Sequence, residues 1–171
     1  VNLKERETID LQFKLELSVQ NLVSSATLVE QDIADAPATI YVVTAEEIRE
    51  RGYRNLQDVL QDIPEVEIQR NSSSEFQDLI GFRGVTGNEK FIILMDDIRI
   101  SSGVGDAHTI HQNYSIANAK RVEILMGPAS AIFGADAYSG LINIVTYDGA
   151  EKEGIYASSS YGSFNTTDNN V

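Results

Sequence analysis

Two histidines and a nearby carboxylate are the first groups in this sequence whose spacing could do chemistry. His108 and His111 are three residues apart, and Asp106 precedes them, within the polar stretch SSGVGDAHTIHQNY. Imidazole and carboxylate groups at such a spacing are ligands that Zn²⁺ uses. In a glycine-rich loop, however, histidines are more often simply exposed to solvent. The pattern therefore raises a zinc or haem site as a minor hypothesis, and no metal or cofactor is assigned.

A pair of adjacent carboxylates, Asp96 and Asp97, lies between the apolar segments FIILM and IRI. Paired carboxylates perform acid–base chemistry when both face one substrate. Neighbouring residues in a tight turn do not converge in that way. The pattern instead predicts a β-hairpin over residues 91–100 with the two aspartates at its turn, where positive φ angles are needed and Asp tolerates them at some cost.

The remaining ingredients of enzyme catalysis are missing from the sequence. It contains no cysteine, no G-x-S-x-G turn and no phosphate-binding loop. Ser130, in the segment Gly127–Ser130 (GPAS), comes closest to a nucleophile, but no histidine is placed beside it. A hydrolase or transferase needs a nucleophile, a base and an orienting group. We therefore predict that the protein is not an enzyme.

Length and charge narrow the class of protein further. The 171 residues suit one globular domain with extensions. Acidic residues number 26 against 13 basic ones, a net charge of −13, and this balance argues against nucleic-acid binding, which favours a basic face. No apolar run approaches the roughly 18 residues of a membrane-spanning helix.

The elements that must position any functional group are organised around residues 121–146, RVEILMGPASAIFGADAYSGLINIVT. Val122, Ile124 and Met126 alternate with Arg121, Glu123 and Leu125, a period of two that predicts a strand. Gly127 ends this strand. A short helix from Pro128 and a second, buried strand (LINIVT) follow. Further strands are predicted at residues 39–44 (TIYVVT) and at 66–68.

Two helices are predicted between those strands. Thr44 and Glu47 form the pattern of a capping box, which begins a helix that extends to about Arg51 and is stopped by Gly52. Asn55 caps a second helix that Pro64 ends. Its apolar face consists of Leu56, Val59, Leu60 and Ile63.

These segments carry a resemblance to a known family. The order R-V-E, G-P-x-S and G-x-I-N-I-V-T resembles the end of the plug domain of TonB-dependent outer-membrane receptors. Residues 43–48 (VTAEEI), 52–64 (GYRNLQDVLQDIP) and 80–84 (IGFRG) resemble earlier motifs of that domain, in which the last segment reads as a strand. One departure is Met126, where the family usually has an arginine that pairs with barrel carboxylates.

The resemblance implies a fold and a division of the chain. The expected fold is α+β: a small mixed β-sheet with short flanking helices, two of them on one side, in the plug-domain architecture. Residues 1–35 would form a periplasmic N-terminal segment, residues 36–148 the plug, and residues 149–171 the first barrel strand and the start of the second. Residues 9–19 alternate strictly between apolar and polar, which predicts a one-sided strand whose partner the sequence leaves open.

The function implied by the resemblance is that of a gate in the outer membrane. The plug would occlude the lumen of its own C-terminal β-barrel, help to bind a small nutrient such as a metal chelate (ferric siderophore, haem or cobalamin), and signal occupancy to the C-terminal domain of TonB in the periplasm. The alternatives are a surface adhesion or host-protein-binding module and, as a weaker one, an α/β enzyme.

The candidate site residues fall into three groups, all assigned through the resemblance. The ligand-contact loops are expected to use Asn71, Ser72, Ser73, His108, His111 and Tyr114. Contacts with the barrel are expected from Arg83, Arg121 and Glu123, although Arg121 and Glu123 could also pair with one another or with Arg83. The TonB-contact segment is expected at Gln20, Asn21, Leu22, Val23 and Ser24, where an ordinary linker is the competing interpretation.

Overall fold

A computed structural model describes residues 22–23, 31–32, 39–70, 78–104, 107, 109–110, 114–154, 157–165 and 167–170. Its strands are β1 (Leu22–Val23), β2 (Gln31–Asp32), β3 (Thr39–Thr44), β4 (Val66–Gln69), β5 (Leu79–Phe82), β6 (Val85–Thr86), β7 (Phe91–Met95), β8 (Ile98–Arg99), β9 (Ala119–Met126), β10 (Gly140–Thr146), β11 (Ser158–Tyr161) and β12 (Thr167–Asn170). Its α-helices are α1 (Ala45–Arg51), α2 (Leu56–Gln61) and α3 (Ser130–Phe133). None of these helices is long and apolar enough to cross a membrane.

The central element is a five-stranded mixed sheet in the order β3-β9-β10-β7-β8. The pairs β3–β9, β9–β10 and β7–β8 are antiparallel, whereas β10 and β7 are parallel. The two parallel strands are mostly apolar, as expected for strands covered on both faces, although β10 contains the buried Asn143. β4, β5 and β6 form a second sheet that shares no strand pairing with the first, and β1–β2 and β11–β12 form two-stranded pairs.

Each face of the central sheet is covered by a different layer. The main core includes Ile48 of α1, Leu56 of α2 and Phe82 of β5, which pack with Val122 and Ile124 of β9. A smaller cluster on the opposite face contains Leu125 and Leu141 with Ala129 and Ala137 from the segment around α3. The expected α+β fold, a small mixed sheet with two helices on one side, is therefore confirmed.

The boundaries of α1 and α2 follow the predicted caps with one correction, and α3 begins at Ser130 rather than at Pro128. The Thr44 hydroxyl accepts from the Glu47 amide and the Glu47 carboxylate accepts from the Thr44 amide, which is the predicted capping box. Gly52 ends α1 in the left-handed conformation, at φ 70. The Asn55 side chain caps α2 as predicted, but this helix ends at Gln61 rather than just before Pro64, since a proline disfavours helical geometry at the preceding residue.

The predicted hairpin over residues 91–100 is present as β7 and β8. Asp96 and Asp97 occupy its turn at φ 50 and 65, so both residues adopt left-handed geometry. The Asp96 carboxylate accepts from the backbone N (2.7 Å) and hydroxyl (2.8 Å) of Thr146, and the Asp97 carboxylate accepts from the Asn143 side-chain amide (2.8 Å). These bonds to β10 offset the cost of placing two non-glycine residues in the turn.

Candidate functional site

Arg121 and Glu123 occupy alternate positions of β9 and therefore point to the same face of the sheet. The Arg121 Nε donates to Glu123 Oε1 at 2.7 Å, and the two side chains are only 4% and 0% exposed. The sequence leaves three possible partners open for this pair, and the structure shows that Arg121 and Glu123 pair with one another. Because the Glu123 side chain is already fully buried by this chain alone, it could act on a barrel only through other side chains.

Arg83, the third residue expected to contact the barrel, lies in a turn rather than in a strand. The strand β5 ends at Phe82, and Arg83 (φ 50) and Gly84 (φ 78) turn the chain towards β6. The predicted strand over residues 80–84 is therefore two residues too long, because a pattern of residue types does not reveal a left-handed turn. The Arg83 side chain is 45% exposed.

The partners of Arg83 are two residues that the sequence analysis did not single out. Its guanidinium forms an ion pair with Glu65, and its Nη2 donates to the Thr39 hydroxyl at 3.1 Å. The Arg83 backbone N also donates to the Glu65 carbonyl at 2.8 Å. Glu65 and Thr39 are 18 and 44 residues away in sequence, and no local sequence pattern connects them with Arg83.

Most of the proposed ligand-contact residues lie outside the described residues: Asn71, Ser72, Ser73, His108 and His111, together with Asp106. Tyr114 is described, packs half-buried against the main core, and has its phenol pKa raised by burial. In the part of the chain that the structure describes, no group of three or more His, Cys, Asp or Glu residues is arranged to hold a metal ion. The zinc or haem hypothesis stays untested.

Both ends of the first candidate ligand loop are tied to the same helix, α2. Before the loop, Arg70 Nη2 donates to Gln61 Oε1 at 2.6 Å. After the loop, Asp78 Oδ2 accepts from Gln57 Nε2 at 2.7 Å, and Gln57 is buried. The positions at which β4 runs into the loop and β5 leaves it are therefore fixed relative to α2.

The proposed TonB-contact segment is described only at its centre. Leu22 and Val23 form β1, which pairs antiparallel with Asp32 and Gln31 of β2. The other members, Gln20, Asn21 and Ser24, lie outside the described residues, as does the predicted strand over residues 9–19. Contact of this segment with TonB stays a prediction.

A cleft of about 280 Å³ opens where β3 and β10 end and β9 begins. It is lined by Thr44, Ala45, Glu46, Arg49, Lys120, Arg121 and Tyr147. Lys120 at its rim pairs with Glu151, and this ammonium group lowers the pKa of the Glu151 carboxyl. The Lys152 ammonium lies 4.9 Å from the centre of the Tyr147 ring. The segment that follows β10 is therefore attached to this end of the sheet by charged side chains.

Comparison with known proteins places this architecture among transport receptors. Residues 32–141 match the family model described as the TonB-dependent Receptor Plug Domain. The vitamin B12 transporter BtuB of Vibrio vulnificus (strain CMCP6) is 32% identical over 142 residues, which are 83% of this chain and 23% of that protein.

Solved structures give the same fold. The pyoverdine outer membrane receptor FpvA from Pseudomonas aeruginosa PAO1, bound to pyoverdine, aligns with a TM-score of 0.65 at 22% identity, over 85% of this chain and 20% of that chain. The ferric-catecholate import receptor Fiu from E. coli K12 aligns with a TM-score of 0.58 at 29% identity, over 78% and 18%. The chain thus spans less than a quarter of the length of these relatives.

Proposed function

This chain belongs to the family of TonB-dependent receptor plug domains, and from that premise we propose that it gates the lumen of an outer-membrane β-barrel for nutrient uptake. The observation that carries the proposal is the family match over residues 32–141, which covers the helices and the central sheet up to the start of β10. In this role residues 36–148 are the plug, residues 1–35 face the periplasm, and residues 149–171 begin the barrel.

The ligand is proposed to be a small metal chelate. The relatives support this class: one is named a vitamin B12 transporter, another is a receptor bound to pyoverdine, and a third imports ferric catecholate. We place the contacts with it on the two polar loops. The contact residues would be Asn71, Ser72, Ser73, His108, His111 and Tyr114.

The signal to TonB is proposed to leave through the N-terminal segment. Residues 20–24 would pair with a strand of TonB, since an extended peptide can be recognised by adding its backbone to a sheet edge. The exposed part of the Arg83 guanidinium would contact the barrel wall. Arg121 and Glu123, which lie towards the other end of β3, would act on the barrel through neighbouring side chains. The chain's own role is binding and gating, without a chemical step.

Uptake in cells that lack other receptors tests the proposal. Cells that express the complete receptor are supplied with labelled cobalamin or a ferric siderophore, and uptake is compared with that of cells lacking TonB. We expect uptake of one chelate class that disappears without TonB or when residues 20–24 are deleted. Uptake that survives both changes would contradict the proposal, and binding of a host protein without uptake would favour an adhesion module instead.

The ligand loops are tested by binding measurements on the same receptor. A triple Asn71→Ala, Ser72→Ala, Ser73→Ala variant and a double His108→Ala, His111→Ala variant should each weaken chelate binding by about tenfold, the effect of losing one or two hydrogen bonds. Unchanged binding in the histidine variant would remove those residues from the ligand site, and the zinc or haem hypothesis with them. Arg54→Ala is a suitable control because Arg54 is exposed just before α2 and its ion pair is a local one with Asp58 of that helix.

A further inference from the structure

The point at which the N-terminal segment joins the central sheet is Thr39, the first residue of β3. Within the described residues, this strand lies at the edge of the sheet and its one partner is β9. Thr39 faces Met126 in the register, so the pair Thr39–Met126 is the outermost of the six pairs that hold β3. A strand attached along one side separates most readily from its end, and Thr39 is the end that the N-terminal segment enters.

The side chain that reaches this end of β3 is Arg83. Its Nη2 donates to the Thr39 hydroxyl at 3.1 Å while the same guanidinium pairs with Glu65. One cation therefore joins three separate segments of the chain: the start of β3, the residue before β4 and the turn after β5.

Glu65 and Arg83 are both placed by unusual backbone geometry. Their φ angles are 71 and 50, in the left-handed region that residues other than glycine seldom adopt. Their backbones are joined by a hydrogen bond from the Arg83 amide to the Glu65 carbonyl, 2.8 Å long. Strained backbone of this kind persists where the surrounding structure requires it and often marks a functional position.

The hairpin of β4 and β5 connects this contact with the first candidate ligand loop. At one end of the hairpin Val66 pairs with Phe82, next to Glu65 and Arg83, and at the other end Gln69 pairs with Leu79. Four residues of strand cover roughly 13 Å. At the loop end of the hairpin, Arg70 and Asp78 are hydrogen-bonded to side chains of α2. At the opposite end, Arg83 contacts Thr39 at the start of β3.

We propose that Arg83 is a positioning residue that clamps the start of β3, and that the β4–β5 hairpin links the ligand loop to the N-terminal segment through this clamp. The clamp itself is independent of transport. Its use as a relay from ligand to TonB rests on the proposed function. A displacement at the loop end of the hairpin would move Arg83 relative to Thr39 and loosen the strand that the N-terminal segment continues.

Hydrogen exchange of the complete receptor, followed by mass spectrometry of peptides that cover residues 39–44, tests the clamp. Thr39→Val removes the hydroxyl and keeps the branched shape, Arg83→Ala removes the donor, and Arg54→Ala is the control for losing an exposed arginine. We expect each of the first two variants to speed exchange in residues 39–44 by roughly fivefold, the effect of losing one partly exposed hydrogen bond to a charged group. The control should leave exchange there unchanged.

The double variant Thr39→Val, Arg83→Ala decides whether the two residues act together. Exchange no faster than in Arg83→Ala alone supports the clamp, because the interaction is lost only once. Unchanged exchange in Thr39→Val, or effects of the two changes that multiply, would overturn it. Either of these two results would mean that Arg83 acts elsewhere, for example on the barrel.

The relay is measured separately, as copurification of the TonB C-terminal domain with the receptor in the presence and absence of ferric siderophore or cobalamin. We expect Thr39→Val and Arg83→Ala to raise copurification without chelate severalfold and to reduce its dependence on chelate. A dependence equal to that of the unchanged receptor would overturn the relay. If the unchanged receptor does not bind TonB at all, the proposed function fails, whereas the exchange result for the clamp still stands on its own.

Discussion

Replacing Glu123 with leucine should lower the free energy of unfolding of this chain by about 3–5 kcal/mol, the cost of removing one partner of a buried ion pair. The Arg121 guanidinium, 4% exposed and 2.7 Å from Glu123 Oε1, would then lose this carboxylate while it remains almost completely buried beside the cleft. A single domain is typically stable by about 5–15 kcal/mol. The change should therefore remove about a fifth or more of the total stability.

The double variant Arg121→Met, Glu123→Leu should recover most of that loss. Two apolar side chains of similar size would extend the cluster in which Leu125 and Leu141 already pack on this face of the sheet. Buried ion pairs can often be replaced by apolar residues with little net cost. We expect the double variant to lie within about 2 kcal/mol of the unchanged protein, so that the two substitutions are strongly non-additive.

Urea unfolding monitored by circular dichroism, with linear extrapolation to water, measures both changes. Glu67→Leu is a matched control, because Glu67 lies in the strand β4 but is exposed, and its replacement should change stability by no more than about 0.5 kcal/mol. A cost below about 1 kcal/mol for Glu123→Leu, or a double variant as unstable as the sum of its parts, would refute the reasoning.

The same double variant distinguishes two roles of Arg121 and Glu123: pairing with one another, and contact with the barrel. If Arg121 and Glu123 serve only one another, a receptor that carries both substitutions should fold and import its chelate at the normal rate. A receptor that folds normally yet fails in uptake would instead show that the barrel depends on this pair through neighbouring side chains.

Two further predictions concern packing and pH. Gly140→Ala should cost about 1–3 kcal/mol in thermal unfolding, since its Cβ would lie 2.8 Å from a backbone oxygen of β9, whereas Gly103→Ala, with open space, should be nearly neutral. For Asp62, hydrogen bonds from Tyr53 and Arg51 lower the carboxyl pKa below its usual 3.8. The ionised Asp62 carboxylate therefore stabilises the folded state fully above about pH 5, and this contribution is lost as the pH falls below that value. In urea titrations, the difference in unfolding free energy between the unchanged protein and Asp62→Asn should shrink towards about pH 3. A constant difference across that range would contradict the linkage.

The local elements of the fold could be predicted from the sequence because their causes are local. A capping box needs two residue types three positions apart, and Thr44 and Glu47 supply them. The alternation of Val122, Ile124 and Met126 predicted one buried face of β9, and all three side chains lie in the main core. Met126 fits that face as an apolar residue, at a position where the resemblance leads one to expect arginine.

The candidate site was less accessible to sequence reasoning because its contacts join distant segments. Arg83 could be recognised as a functional candidate, but its partners Glu65 and Thr39 depend on a left-handed turn and on the packing of the β4–β5 hairpin against the edge of the central sheet. Neither feature leaves a local pattern. Likewise, the sequence allowed Arg121 to pair with Glu123, with Arg83 or with the barrel. The register of β9 with β3 places Arg121 opposite Thr44, away from the Thr39 end where Arg83 lies.

Polar side-chain contacts of the described residues occur at both ends of the central sheet, and β3 has a different contact at each end. At the end where β3, β7 and β10 finish, Thr44 is capped by Glu47, Asp96 binds Thr146, and Lys120 pairs with Glu151. At the opposite end, the polar side-chain contact described for β3 is the bond between Thr39 and Arg83. A load applied through the N-terminal segment would meet the Thr39 end of β3 first, where under the proposed clamp Arg83 would resist separation of the strand.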